Sequence, residues 1–111
     1  MMFTDGGSMS RCGTSSIYVD RINGKLRISY AMHSIVGNIT SRILDVNWGP
    51  TSAGSNHDVG LWNRRTFNNA LSRGPAKAGD RAGATLRWQV TTSGWTLACW
   101  VSADEPVHRL P

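Results

Sequence analysis

The segment Gly54-Ser55-Asn56-His57-Asp58-Val59-Gly60-Leu61-Trp62-Asn63-Arg64-Arg65-Thr66-Phe67-Asn68-Asn69-Ala70-Leu71-Ser72-Arg73-Gly74-Pro75 decides how this chain is read. Val59, Trp62, Phe67, Ala70 and Leu71 lie near one stripe at helical spacing, and Ser55 or Asn56 stands where a helix cap belongs. Gly74-Pro75 then acts as a stop, glycine just past the last turn and proline beyond it. The pattern predicts one main helix after residue 56. Arg64, Arg65 and Arg73 would occupy its flank and last turn, where cations suit the macrodipole. Asp58 falls in the first turn, where a carboxylate is favourable for the same electrostatic reason. That position also suits a hard divalent cation, which takes one or two carboxylate oxygens from protein.

Upstream of this segment the chain reads as strands. Lys25 to Met32 alternates, with Leu26, Ile28, Tyr30 and Met32 on one side and Arg27, Ser29, Ala31 and His33 on the other. Ile17 to Asp20 is a short strand before it, and Asn23-Gly24 between the two is a strong hairpin dipeptide. Ile43 to Trp48 is a further strand, expected to lie antiparallel to the Lys25 strand through the short Asn38 to Ser41 connection. Gly49 to Asn56 is rich in the turn formers Gly, Pro, Ser and Asn and reads as a loop. Downstream, Pro75 to Ala84 is a second loop, Leu86, Trp88 and Val90 alternate with Arg87, Gln89 and Thr91, and Trp95 to Val101 offers a last strand. Residues 1–15, rich in Gly and Ser, are expected to form a disordered arm and residues 102–111 a frayed tail, leaving one domain over 16–101.

Composition narrows the classes. A chain of 111 residues with 40% apolar content supports one small domain with its own core. Its net charge of +5, with ten of twelve cations arginine, favours a polyanionic partner. No apolar stretch approaches the ~20 residues of a membrane-spanning helix, and the leader to Arg11 lacks a signal peptide's apolar region. An intracellular protein without membrane contact is therefore expected. Cys12 and Cys99 are too few for a disulfide scaffold and lack metal-pair spacing, which predicts a free thiol at Cys12 and a buried one at Cys99. Of the tryptophans at 48, 62, 88, 95 and 100, the first three fall on core stripes; beside arginines, the residue type also suits stacking on nucleic-acid bases.

The run Tyr30-Ala31-Met32-His33-Ser34-Ile35-Val36, a turn, Ile43-Leu44-Asp45-Val46-Asn47-Trp48, and then Gly54-Ser55-Asn56-His57-Asp58 with a helix to Gly74 resembles the middle of a Harbinger-type DDE-superfamily transposase nuclease. Gly79-Asp80-Arg81-Ala82-Gly83, followed by Leu86, Trp88 and Thr91, is similar to that family's Gly-Asp-x-Gly-Tyr element with Leu, Trp and Thr-Pro downstream. The likeness covers about residues 25–92 and departs from the pattern at the inserted Pro50 to Ala53, at Ala84 and at Thr92. It implies an α/β fold, a partial ribonuclease-H-like nuclease core with mostly antiparallel strands and one main helix. It also implies attack on DNA phosphodiesters assisted by Mg²⁺ or Mn²⁺. Asp58 occupies the place of a catalytic metal ligand. A candidate for the first aspartate of the set is Asp20, which follows the strand Ile17-Tyr18-Val19. Alternatively it precedes Met1, if Asn23-Gly24-Lys25 matches the basic segment ahead of the family's first strand.

On this likeness Arg64, Arg65 and Arg73 become candidate DNA-backbone contacts. Glu105, the sole glutamate, is followed by Pro106, which disfavours the helix that should carry the third acid. The resemblance thus implies a catalytically incomplete fragment, with DNA and a second copy or transposase protein as partners and the nucleus as location. A reading of another class needs no catalysis: a small basic, Trp-rich domain that binds nucleic acid or protein. His57-Asp58 also opens a metal phosphohydrolase set, but only His33 and His108 remain to complete it.

Overall fold

Asn23 and Gly24, at φ of 54° and 75°, close a two-residue hairpin between strand β2 (Gly13–Ile22) and strand β3 (Lys25–Ser34). Positive φ at both central residues gives the turn whose twist matches the flanking strands. The alternation expected in β3 is realised, with Leu26, Ile28, Tyr30 and Met32 all buried. The computed structural model describes residues 8–10, 12–94 and 99–111. Around the hairpin, β1 (Ser8–Ser10) and β6 (Thr66–Pro75) complete an antiparallel sheet of order β1-β2-β3-β6. A second antiparallel sheet of order β5-β4-β7-β8 contains β4 (Ile39–Pro50), β5 (Gly54–Arg64), β7 (Arg81–Thr92) and β8 (Cys99–Arg109).

The two sheets stack as a sandwich. Ile17, Val19, Leu26, Ile28 and Met32 of the first sheet share one core with Leu44, Val46, Leu86, Trp88 and Val90 of the second. The chain crosses between sheets after β3, after β5 and after β6, so each sheet is built from segments distant in sequence.

The α/β, ribonuclease-H-like expectation is overturned, because no helix is present among the described residues and both sheets are antiparallel. Where one main helix was expected after residue 56, β5 and β6 run as the facing edge strands of the two sheets. The apolar residues there are sparse enough to satisfy either period. Helix propensity does not decide for a helix, since Gly60, Asn63, Thr66, Asn68 and Asn69 are weak formers. Burial of Phe67 and Leu71 on the period-two face of β6, against the sandwich core, settles the conformation.

Other corrections follow from the same topology. β4 does not pair with β3; residues 35–38 carry the chain across to the second sheet. The loop expected from Gly49 shrinks to the turn at residues 51–53, and the one from Pro75 to Ala84 ends at residue 80. The tail is ordered: β8 continues to Arg109, Leu110 is buried, and its amide donates to the Asp80 carbonyl at 2.7 Å. Gly13 to Ser15, assigned to the arm, open β2, and Ser8 to Ser10 pair with it; residues 1–7 and 11 lie outside the described residues, as do 95–98 of the last expected strand. Cys12 and Cys99 are disulfide-bonded, not free thiols. Their Cα atoms are brought to 6.1 Å across 87 residues of sequence, a proximity that only the fold creates. No helix among the described residues is long and apolar enough to cross a membrane.

Candidate functional site

Asp58 points into the sandwich, since its register partner Leu44 is fully buried on the same face of the second sheet. Its carboxylate accepts from the Arg42 guanidinium at 3.1 Å, with side-chain exposures of 18% and 14%. Arg42 in turn donates to the Leu61 carbonyl at 2.9 Å and lies 4.3 Å from the Phe67 ring centroid and 5.6 Å from that of Trp62. Asp20 is exposed on the outside of the first sheet, where its carboxylate accepts the Arg21 amide at 2.8 Å. The two aspartates thus lie on opposite sides of the first sheet and share no cleft. This arrangement does not fit a paired Mg²⁺ or Mn²⁺ site, because one carboxylate is committed to a guanidinium and the other faces away. Among the described residues no group of three or more His, Cys, Asp or Glu side chains converges.

The three candidate DNA-contacting arginines are also separated. Arg64 and Arg65 sit at the β5–β6 connection, whereas Arg73 is at the far end of β6, about 26 Å away at ~3.3 Å per residue. Arg73 joins Arg21, Lys25, Lys77, Arg81 and Arg109 at that end. Hydrogen bonds from Ala76 to Gly24, Leu110 to Asp80, Ser52 to Pro75 and Arg21 to Pro111 knit these segments together. Arg81 and Arg109 are direct register partners, an unfavourable like-charge pair. Asp20 and Asp80 lie at this end too, but both carboxylates accept backbone amides, from Arg21 and Lys77.

Sequence reasoning missed the outer face of the second sheet. Four strands present side chains there in rows set by register. Ser55, Asn47, Thr85 and Asp104 form one row; His57, Asp45, Arg87 and Ser102 the next; Val59, Ile43, Gln89 and Trp100 a third; and Leu61, Ser41 and Thr91 continue it. Ile43, Val59, Leu61 and Trp100 are 43%, 57%, 83% and 68% exposed. They are four of the seven large exposed hydrophobics among the described residues. The neighbouring polar row is organised by His57, whose Nδ1 lies 2.5 Å from the Asp45 carboxylate. A shallow hollow of about 500 Å³ opens between Asp45, Asn47, Ser55, His57, Thr85 and Arg87.

A larger hollow, about 620 Å³, lies on the outside of the first sheet. Its lining joins Ser16, Ser29, Ala31 and Ala70 to Tyr18 and Arg27, so it holds a single charged side chain. Tryptophan distribution reinforces the choice of face: Trp48 and Trp88 are buried and Trp62 packs against the core, while Trp100 is turned to solvent. Trp95 lies outside the described residues. The signal for this face was legible as the polar alternates of β7, Arg87, Gln89 and Thr91, and as the solvent-side alternates of β4, Ile43, Asp45 and Asn47. What joins them into one surface is strand pairing. Compared with protein-family models, curated proteins and solved structures, the chain matches none.

Proposed function

We propose that the chain is a non-catalytic interaction module that receives a protein partner on the outer face of its second sheet. The observation that carries this reading is the collection of Ile43, Val59, Leu61 and Trp100 on one face. An apolar patch rimmed by hydrogen-bonding side chains is the anatomy of a protein interface, and an exposed Trp is the residue type most enriched among binding hot spots. Asp45 and Asp104 on the same face oppose a polyanion, which favours protein over nucleic acid there. The disulfide favours an oxidising compartment over the nuclear location that the family likeness implied.

The test is a displayed random-peptide library panned on the folded domain. Selected ligands are expected to lose binding to Leu61→Glu and Trp100→Ser while retaining it for Tyr18→Ala, which alters the outside of the first sheet. Ligands indifferent to both face substitutions would refute the reading. A second reading has its own observation, the gathering of six cations at the Lys25, Arg81 and Arg109 end. It predicts DNA binding that weakens with salt and drops for Arg81→Ala/Arg109→Ala, measured by fluorescence anisotropy. Salt-independent binding, or binding unaffected by the double substitution, speaks against it.

A further inference from the structure

The outer face of the second sheet carries both members of a charge pair that it does not use. Asp45 and Arg87 are direct register partners across β4 and β7, both on the solvent side. Yet the Asp45 carboxylate is bonded to His57, and among the described residues Arg87 enters no ion pair. A row away, an exposed Trp100 on β8 and an exposed Val59 on β5 stand at the two margins of the face. A surface with acid and base beside its midline and apolar groups at both margins has the elements of self-complementarity.

We propose that the occupant of this face is a second copy of the chain, seated face to face about a two-fold axis that runs along the strands midway between β4 and β7. The proposal rests on the binding-face reading above. In this arrangement β4 of one copy lies over β7 of the other, and β5 over β8. The registers then place Asp45 against the partner's Arg87, and Val59 against the partner's Trp100, each twice by symmetry. Asn47 meets the partner's Thr85, Ser41 meets the partner's Thr91, and Ser55 meets the partner's Asp104. A two-fold across the strands never sets Asp45 over the partner's Arg87, because β4 then lies over the partner's β4 and β7 over the partner's β7.

Twist supports the same choice. Stacked sheets pack with their strands rotated by roughly 30°, which displaces contacts in proportion to their distance from the axis. Asp45 and Arg87 flank the axis and are displaced least, so the charge pair fixes register while Val59 and Trp100 tolerate adjustment. Four strands spaced ~4.8 Å and four rows spaced ~6.8 Å give a face of about 500 Å² per copy in projection. Two such faces reach the lower range of specific interfaces, consistent with a reversible dimer.

Light scattering and sedimentation equilibrium on the intact, oxidised chain test this with a charge swap. The wild-type protein is expected to show a concentration-dependent mass of two chains. Asp45→Arg alone and Arg87→Asp alone are each expected to weaken pairing at least tenfold, because each faces like charge across the axis. An equimolar mixture of the two variants is expected to recover a two-chain species, since each then supplies what the other lacks. Val59→Asp serves as a second disruption that leaves the charges intact, and thermal unfolding of every variant separates loss of pairing from loss of fold.

Three outcomes overturn the proposal: a wild-type monomer up to about 1 mM, the range of the weakest specific complexes; dimers indifferent to both charge reversals; or folded variants that stay monomeric when mixed. None of these refutes the binding face itself. That reading fails separately, when selected peptides ignore Leu61→Glu and Trp100→Ser.

Discussion

Arg42 and Asp58 lie largely out of solvent between the sheets, the guanidinium against two aromatic rings and in hydrogen bond with the Leu61 carbonyl. Removing one partner of such a pair leaves the other charge without compensation. Asp58→Ala is expected to cost roughly 3 kcal/mol, read as a lower urea midpoint, while Arg42→Met with Asp58→Leu costs much less. An Asp58→Ala protein as stable as wild type would show that the pair contributes nothing. Tyr30 supplies a second prediction at this scale. Its burial, the largest influence, pushes the hydroxyl above its ordinary value of 10.0, and the Asp58 carboxylate adds to the rise, against the Asn69 amide that donates to the phenol oxygen. The unfolded phenol then releases its proton before the folded one. Stability is full below pH 10.0 and is lost as pH rises through the folded value. Urea midpoints followed from about pH 8 to about pH 11 should fall more steeply for wild type than for Tyr30→Phe, and equal slopes would contradict it.

Among the elements, the β2–β3 hairpin depends on a local conformation, not on packing. A Cβ at Gly24 meets no atom within 4 Å, but φ of 75° strains any side-chain-bearing residue. Gly24→Val is therefore expected to cost about 1–2 kcal/mol in thermal unfolding, and Gly24→Asn distinctly less. Equal losses for the two would show that steric bulk, not φ, sets the effect. This hairpin was legible because its information is contiguous: a turn dipeptide followed by an uninterrupted alternation at 26, 28, 30 and 32. β5 and β6 were not. As edge strands each has a sheet neighbour on one side only, and their apolar residues fall at 59, 61, 62, 67, 70 and 71, a set that serves either period. Ser55 and Asn56, suited to cap a helix, pair with Asn47 and Val46 instead. The candidate site suffered from the same ambiguity, since reading Asp58 on a helix placed it in a first turn suited to a metal ligand, while the strand turns it into the core.

At the scale of the molecule, the Cys12–Cys99 bond joins the start of β2 to the start of β8 across 87 positions. A cross-link over so long a loop restrains the unfolded chain strongly, with a typical contribution of about 2–4 kcal/mol. Reduction, or Cys12→Ser with Cys99→Ala, is expected to lower the melting temperature by roughly 10 °C or more without changing the far-ultraviolet signature of strands. Identical melting of oxidised and reduced protein would remove the cross-link from the account of stability.

By itself the sequence determined the alternating strands at 25–32, 43–48 and 86–90, the Asn23-Gly24 turn, and the core identities within those strands, because period and turn chemistry are nearest-neighbour properties. Tertiary structure alone decided that β4 leaves β3 for the other sheet, that Asp58 meets Arg42, that the cysteines meet, and that Ile43, Val59, Leu61 and Trp100 share one solvent face. Each of these depends on contacts between segments far apart in the chain, whose pairing energy exists only once both sheets are assembled.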